Sequence, residues 1–273
     1  MPLWICKACA VEYPETAEVP DRCAICADER QYVPPAGQEW LTLEQLAADG
    51  HRIEHTQVEP GLHTLWAEPR VGIGQRGHIV HTEAGNVLWD PPGFIDDAAV
   101  EWIRGLGGVV AIVASHPHMF GVQVSWSHAL GSADVLVAEA DREWVQREDA
   151  VIRTWTGDLE PLPGLTLRTV GGHFPGSAIL HFTGADGKGV LLSGDTIFPG
   201  PSEKWVTFLR SYPNDIPLSA AVVDRVVTAV NEFDYDRMYG NFGQPVRTDA
   251  RAAVRRSADR YIAWVRGDFD HLT

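Results

Sequence analysis

The chain has 273 residues, 45% hydrophobic and 22% charged, which is long enough for one large domain with a small appendage and ordinary for a globular protein. Its formal net charge of −15 argues against a nucleic-acid backbone or an anionic membrane surface as the main partner. The opening segment MPLWICKACAVEYPE has neither a basic stretch nor an apolar core, and no apolar run is long enough to cross a bilayer, so a cytoplasmic protein is expected.

All 4 cysteines fall within the first 26 positions. Cys6-Lys7-Ala8-Cys9 and Cys23-Ala24-Ile25-Cys26 are two C-x-x-C pairs, and in a reducing compartment such pairs read as metal ligands before disulfides. Two thiolates at that spacing grip one ion through a tight turn, and a second turn completes a tetrahedral four-sulfur site. Zinc is the expected occupant, although the same ligands hold iron. The segment resembles a zinc ribbon or a shortened rubredoxin. A closed four-thiolate site leaves no open position, so its expected role is structural, as a cover for the main domain or a dimer contact in a homo-oligomer.

Val33-Pro34-Pro35-Ala36-Gly37 reads as a linker, which places the module at 1–36 and the main domain at 37–273. Residues 41–50 predict a short helix capped by Thr42. From Gly61 the pattern turns to strands: GLHTLWAEP, QRGHIVHTEAG and NVLWDPPG. DDAAVEWIRGLGG predicts an amphipathic helix with Ala99, Trp102, Ile103 and Leu106 on one side, and the run Val109–Ala114 a strand buried on both faces. ADVLVAEAD predicts a strand and REWVQRE a helix. LTLRTVGG, SAILHFTG and GVLLSGD predict three more strands. SAAVVDRVVTAVNEF predicts a helix, YDRMYG a strand, and 249–266 a final helix. This mixed order implies an α/β fold of sheets covered by helices.

Three predicted strands end in ligand-type residues: His116 and His118 after 109–114, His173 in the turn GGHFPGS, and Asp195 in SGDTIF. Strand exits joined to short turns are rigid mounts on which ligands can converge. The order NVLWD, HPH, GGHFPGS, SGDTIF resembles the metallo-β-lactamase superfamily over residues 60–245. The resemblance implies an αββα sandwich, with Asp90 supporting the metal loops, His116, His118 and His173 as ligands, and Asp195 as the bridging carboxylate.

The departures from that pattern matter equally. Where the superfamily motif H-x-H-x-D-H has its aspartate and last histidine, this chain has Phe120 and Gly121, and YGNFGQP places Asn241 near the position of the final histidine. Those are the residues that hold a second metal, so one ion is expected: zinc, with iron as the alternative. The expected activity is hydrolysis of a small ester, thioester or lactone by zinc-activated water, with Asp195 as fourth ligand or water-orienting group. His128 is a candidate base, and Phe120, Trp205, Arg210, Tyr212 and Asn241 are candidates to line a substrate site, with Arg210 suited to a carboxylate. Two other readings stand beside it: a mononuclear iron oxygenase or redox enzyme on the same fold, and a non-catalytic domain that binds a ligand or partner. No G-x-S-x-G or phosphate-loop motif is present.

Overall fold

A computed structural model describes residues 1–273, which divide into two units, Met1–Trp155 and Thr156–Thr273. The first begins with a small sheet of order β2-β1-β3, built from β1 (Leu3–Cys6), β2 (Glu12–Glu15) and β3 (Trp40–Leu41). β3 lies beyond the proline linker. Ile5 and Cys6 pair with Leu41 and Trp40, and the Tyr13 ring stands edge-on to Trp40 at 4.7 Å. The cysteine segment therefore takes its third strand from past the expected boundary at 36, since a segment this small has too little apolar surface to close on its own. Helix α1 (Leu43–Ala48) follows, with Thr42 and Gln45 forming a reciprocal capping box.

The rest of this unit is a seven-stranded sheet of order β10-β9-β8-β7-β6-β5-β4. Its strands are β4 (Arg52–Glu59), β5 (Leu62–Glu68), β6 (Gly77–Thr82), β7 (Gly85–Trp89), β8 (Ala111–Val113), β9 (Asp134–Ala138) and β10 (Ile152–Trp155). β4 to β7 run antiparallel, and β7 to β10 are parallel. Parallel neighbours need crossovers, which are α2 (Asp97–Gly105) between β7 and β8 and α3 (Gln123–Ala129) between β8 and β9. Between β9 and β10 the predicted helix is instead a 3-10 stretch, Glu139–Trp144. The apolar runs of these strands are those of a sheet covered on both faces, and accordingly Val87, Leu88, Trp89, Ile112, Val113, Val135 and Val137 are fully buried.

Asp96 fixes the start of α2 twice over: one carboxylate oxygen accepts from Ala99 N at 2.7 Å and the other from Ile53 N at 2.6 Å. Trp102, placed with the apolar side by the sequence pattern, is only half-buried and meets histidines of the sheet. His55 stacks on its ring at 3.8 Å, and His63 approaches edge-on at 5.5 Å. Burial, aided by the charges of His55 and His81, pushes the His63 imidazole below its ordinary 6.5. Its unfolded form then binds a proton more readily than its folded form, so stability is intact above pH 6.5 and is lost as pH falls below that value. His63→Gln should therefore lose less stability than the parent chain between about pH 7 and about pH 5.5 in urea unfolding. Equal losses would remove His63 from this role.

The second unit holds a five-stranded sheet of order β11-β12-β13-β14-β19. Four strands run in sequence, β11 (Asp158–Leu162), β12 (Leu165–Thr169), β13 (Ala178–Thr183) and β14 (Gly189–Leu192). Two short hairpins follow, β15 (Phe198–Pro199) with β16 (Val206–Thr207) and β17 (Leu209–Ser211) with β18 (Ile216–Pro217). Helix α4 (Ala220–Val230) then leads to β19 (Arg237–Tyr239), which joins β14 in parallel, and α5 (Ala250–Val265) ends the unit. The core here is Val223, Val226, Val227 and Val230 of α4 packed with Val254 and Ala258 of α5 and Ile179 and Leu191 of the sheet. No helix of the chain is long and apolar enough to cross a membrane.

Candidate metal centres

In the cysteine module, Cys6 Sγ lies 3.6 Å from Cys26 Sγ, and Cys9 Sγ lies 3.6 Å from Cys23 Sγ. All four sulfurs are buried and within 4.8 Å of one another. Zinc–sulfur bonds of about 2.3 Å in a tetrahedron space the sulfurs by about 3.8 Å, so the observed spacing suits one ion. Two N–H donors support the same charge: the Cys26 backbone N–H points at Cys23 Sγ (3.4 Å), and the Gln38 side-chain Nε2 donates to Cys6 Sγ at 3.2 Å. Neighbouring thiols hold the Cys6 thiol far below its ordinary range and push that of Cys9 far above it. The Cys23 thiol is also held low and that of Cys26 is pushed up, so only part of the cluster ionises by itself, and a bound cation favours ionisation of the rest.

The two histidines of the H-x-H stretch follow β8. The chain leaves β7 at Asp90, whose positive φ of 53° turns it sharply, and Asp90 N donates to Val113 O at 2.7 Å. The Asp90 carboxylate then accepts from Ser115 N at 2.5 Å, tying the exits of β7 and β8 together. His116 Nδ1 bonds to Ser115 Oγ at 2.9 Å, which makes Nε2 its ligand atom. A 3-10 turn, Pro117–Met119, brings the His118 ring to 5.2 Å from that of His116.

Phe120 is buried, and Gly121 has a φ of +50°. A side chain at 121 has no room: its Cβ would stand 2.5 Å from Pro91 O and 3.1 Å from Pro92 O. The backbone of the neighbouring loop thus holds position 121 as glycine.

The other pair is His173 and Asp195. After β12, the backbone N–H groups of Val170 and Gly171 both bond to Ser177 O, and Phe174 N donates to Ser177 Oγ at 2.7 Å. Gly171 and Gly172, with φ of 71° and 94°, make the turn that presents His173. His173 is fully buried, and its Nδ1 meets Leu209 O at 3.0 Å, so Nε2 is the ligand atom. Asp195 follows β14, buried, with the Tyr212 hydroxyl donating to its backbone O at 2.9 Å. Burial and the Asp195 charge push the Tyr212 phenol well above its ordinary value, so it stays a donor. The ligand atoms of His116, His118, His173 and Asp195 all lie within 4.8 Å of one another.

The other sequence candidates are placed differently. His128 ends α3, half exposed, with Nε2 3.1 Å from Asp149 Oδ2, and does not belong to the donor cluster. Trp205 packs on α5, with the Arg260 guanidinium 3.7 Å from its ring. Arg210 lines a cavity of about 760 Å³ with Thr169, Gly171, Gly172, Pro217 and Arg225. Asn241 is buried just past β19. Two supports were not legible in the sequence: Leu209 acts on His173 through a backbone carbonyl, which no side-chain pattern reveals, and Gln38 lies outside the cysteine pairs it serves.

No protein-family model matches the chain. It is 40% identical over 274 aligned residues to the uncharacterized protein YmaE of Bacillus subtilis, covering 99% of this chain and 100% of that protein. Among solved structures, VMB-1 superposes with a TM-score of 0.60 at 14% identity, over 78% of this chain and 98% of VMB-1. The mono-zinc form of the metallo-β-lactamase FIM-1 from Pseudomonas aeruginosa gives a TM-score of 0.56 at 16% identity, over 76% of this chain and 95% of FIM-1. The metal-soaked flavodiiron core of Flv1 from Synechocystis gives a TM-score of 0.54 at 11% identity, over 78% of this chain and 61% of that one. The chain therefore belongs to the same family as YmaE, and its fold is the mixed α/β fold of the metallo-β-lactamases.

Proposed function

We propose that the chain is a metal-dependent hydrolase with one zinc ion held by His116, His118 and His173, and with Asp195 beside it. The observation that carries this reading is the meeting of three buried imidazoles and one buried carboxylate within 4.8 Å. Ligand bonds of about 2.1 Å in a tetrahedron space the donors by about 3.4 Å, inside the 4.8 Å bound of this cluster, so the arrangement is compatible with a single ion. When bound, zinc with three nitrogen ligands supplies Lewis acidity that polarises a carbonyl and lowers the pKa of water toward about 7.

The chain's own residues do the rest. Ser115 Oγ and Leu209 O engage Nδ1 of His116 and His173 and so fix the orientation of both rings. Asp195 is the one carboxylate in the cluster and takes the proton that water gives up as it attacks an ester, thioester or lactone carbonyl. Tyr212 anchors the Asp195 backbone. His128 Nε2 pairs with Asp149. The substrate is a small molecule.

The test is a hydrolysis panel of esters, thioesters and lactones, run on full-length protein carrying only the cysteine-bound ion and again after zinc is restored. Turnover should require the second equivalent and disappear in His118→Ala. Recovery of iron at the histidines with oxygen consumption, or turnover that survives His118→Ala, would overturn the reading.

A further inference from the structure

We propose that the cysteine module is a positioning device for the histidine loop, and that Glu12 is the positioning residue through which it acts. The proposal rests on the mononuclear-centre reading above, and it gives the N-terminal metal a task beyond holding its own segment together.

The physical argument starts at the first cysteine knuckle. Ala10 N donates to Cys6 O at 2.7 Å and Cys6 N to Val11 O at 3.0 Å, so the turn that places Cys6 and Cys9 also places Glu12. Glu12 opens β2 in register with Ile5, and it is buried. Its backbone N–H donates to Gly121 O at 3.0 Å. Its carboxylate accepts from Val124 N at 2.5 Å, from Ser125 Oγ at 2.7 Å and from Arg147 Nη1 at 2.6 Å. Arg147 also donates to Ser125 Oγ at 2.9 Å, which closes the network.

Val124 and Ser125 lie in the first turn of α3, a helix whose own N-cap, Val122, provides no side-chain cap. Glu12 thus does from 112 residues away what a capping residue does locally. The stretch it holds, Gly121–Ser125, begins three residues after His118. The knuckle is also seated from below: Cβ atoms added at Gly93 and Gly72 would come within 2.2 Å and 2.6 Å of Ala10 Cβ, and the same Pro91-Pro92-Gly93 segment backs Gly121. Module, proline loop and histidine loop form one contiguous packed path. Such a path gives the module leverage over where His116 and His118 sit.

Occupancy of the cysteine site and affinity at the histidine site are then coupled, and the coupling runs through Glu12. Glu12→Gln keeps the side-chain shape but removes the charge held by Arg147 and one of the two acceptors. In full-length protein with the cysteine site loaded, it should keep one metal equivalent. Its affinity for Zn²⁺ at the histidines should fall roughly threefold to thirtyfold, read by competition with a chromophoric chelator. Backbone amides 121–125 should exchange with deuterium faster than in the parent.

Selective release of the cysteine-bound ion from the parent protein with an organomercurial thiol reagent should produce the same loss. In Glu12→Gln the reagent should add little further, because the link is already cut. Circular dichroism on each sample separates a loosened loop from an unfolded chain. Unchanged histidine-site affinity in folded Glu12→Gln, or after ion release from the folded parent, would overturn the proposal. If the parent takes up no Zn²⁺ at the histidines, the mononuclear-centre reading fails instead. The exchange rates of 121–125 then decide whether the tie itself exists.

Discussion

His116→Ala and His173→Ala should each bring the zinc content of the purified chain down from two equivalents to one. Cys9→Ser should remove the other equivalent. Elemental analysis of the three variants beside the parent makes the assignment. The expectation follows from donor chemistry: each histidine is buried with its Nδ1 held by a neighbour, so its Nε2 is the atom presented to an ion. Losing one of three imidazoles from a site with only one carboxylate leaves too few strong donors for a closed shell. The cysteine site has its own four sulfurs and shares no ligand with the histidines. Unchanged total metal in both histidine variants would end the mononuclear reading.

Rebuilding the superfamily motif should fail. The double variant Phe120→Asp with Gly121→His adds two ligand-type side chains after His118, yet it should gain no metal and should lose about 2–6 kcal/mol of stability in urea unfolding. Part of that cost is conformational, since the backbone at 121 sits at φ +50°, where a side chain is strained. The remainder is steric, because a Cβ 2.5 Å from Pro91 O forces the proline loop to move. At position 120 a buried ring gives way to a carboxylate in an apolar setting, which adds a desolvation penalty. A double variant with three ions per chain and parental stability would show that the loop is pliant.

What could be read from the sequence was local. The C-x-x-C pairs, the H-x-H step and the glycine turn before His173 encode their geometry within a few residues. The Thr42 cap was visible for the same reason. The missed elements lack such signals. β4 carries Arg52, Glu54, His55, Thr56 and Gln57 on an edge strand with no apolar run. β11 contains Pro161, tolerated because it too is an edge strand. REWVQRE has helical composition, but a 3-10 stretch suffices to bridge two parallel neighbours there. Gly121 reads as a lost ligand in sequence and as a steric necessity in the fold. Glu12 looked like an ordinary acidic residue after a cysteine knuckle, because every partner of its carboxylate is more than a hundred positions away.

That separation has a consequence for the order in which the protein forms. Glu12 and Arg147 are 135 residues apart, so their bond closes a very long loop. Hairpins such as β4–β5 close within a few residues and form early, whereas contacts at this range come late and slow the search. A chain made from its N-terminus presents the cysteine knuckles first, and they can take up metal at once. The carboxylate beside them then waits, charged and solvated, until α3 and Arg147 have emerged. Docking of the module is therefore a closing step of folding, and the histidine loop acquires its final shape only when the cysteine segment returns to meet it.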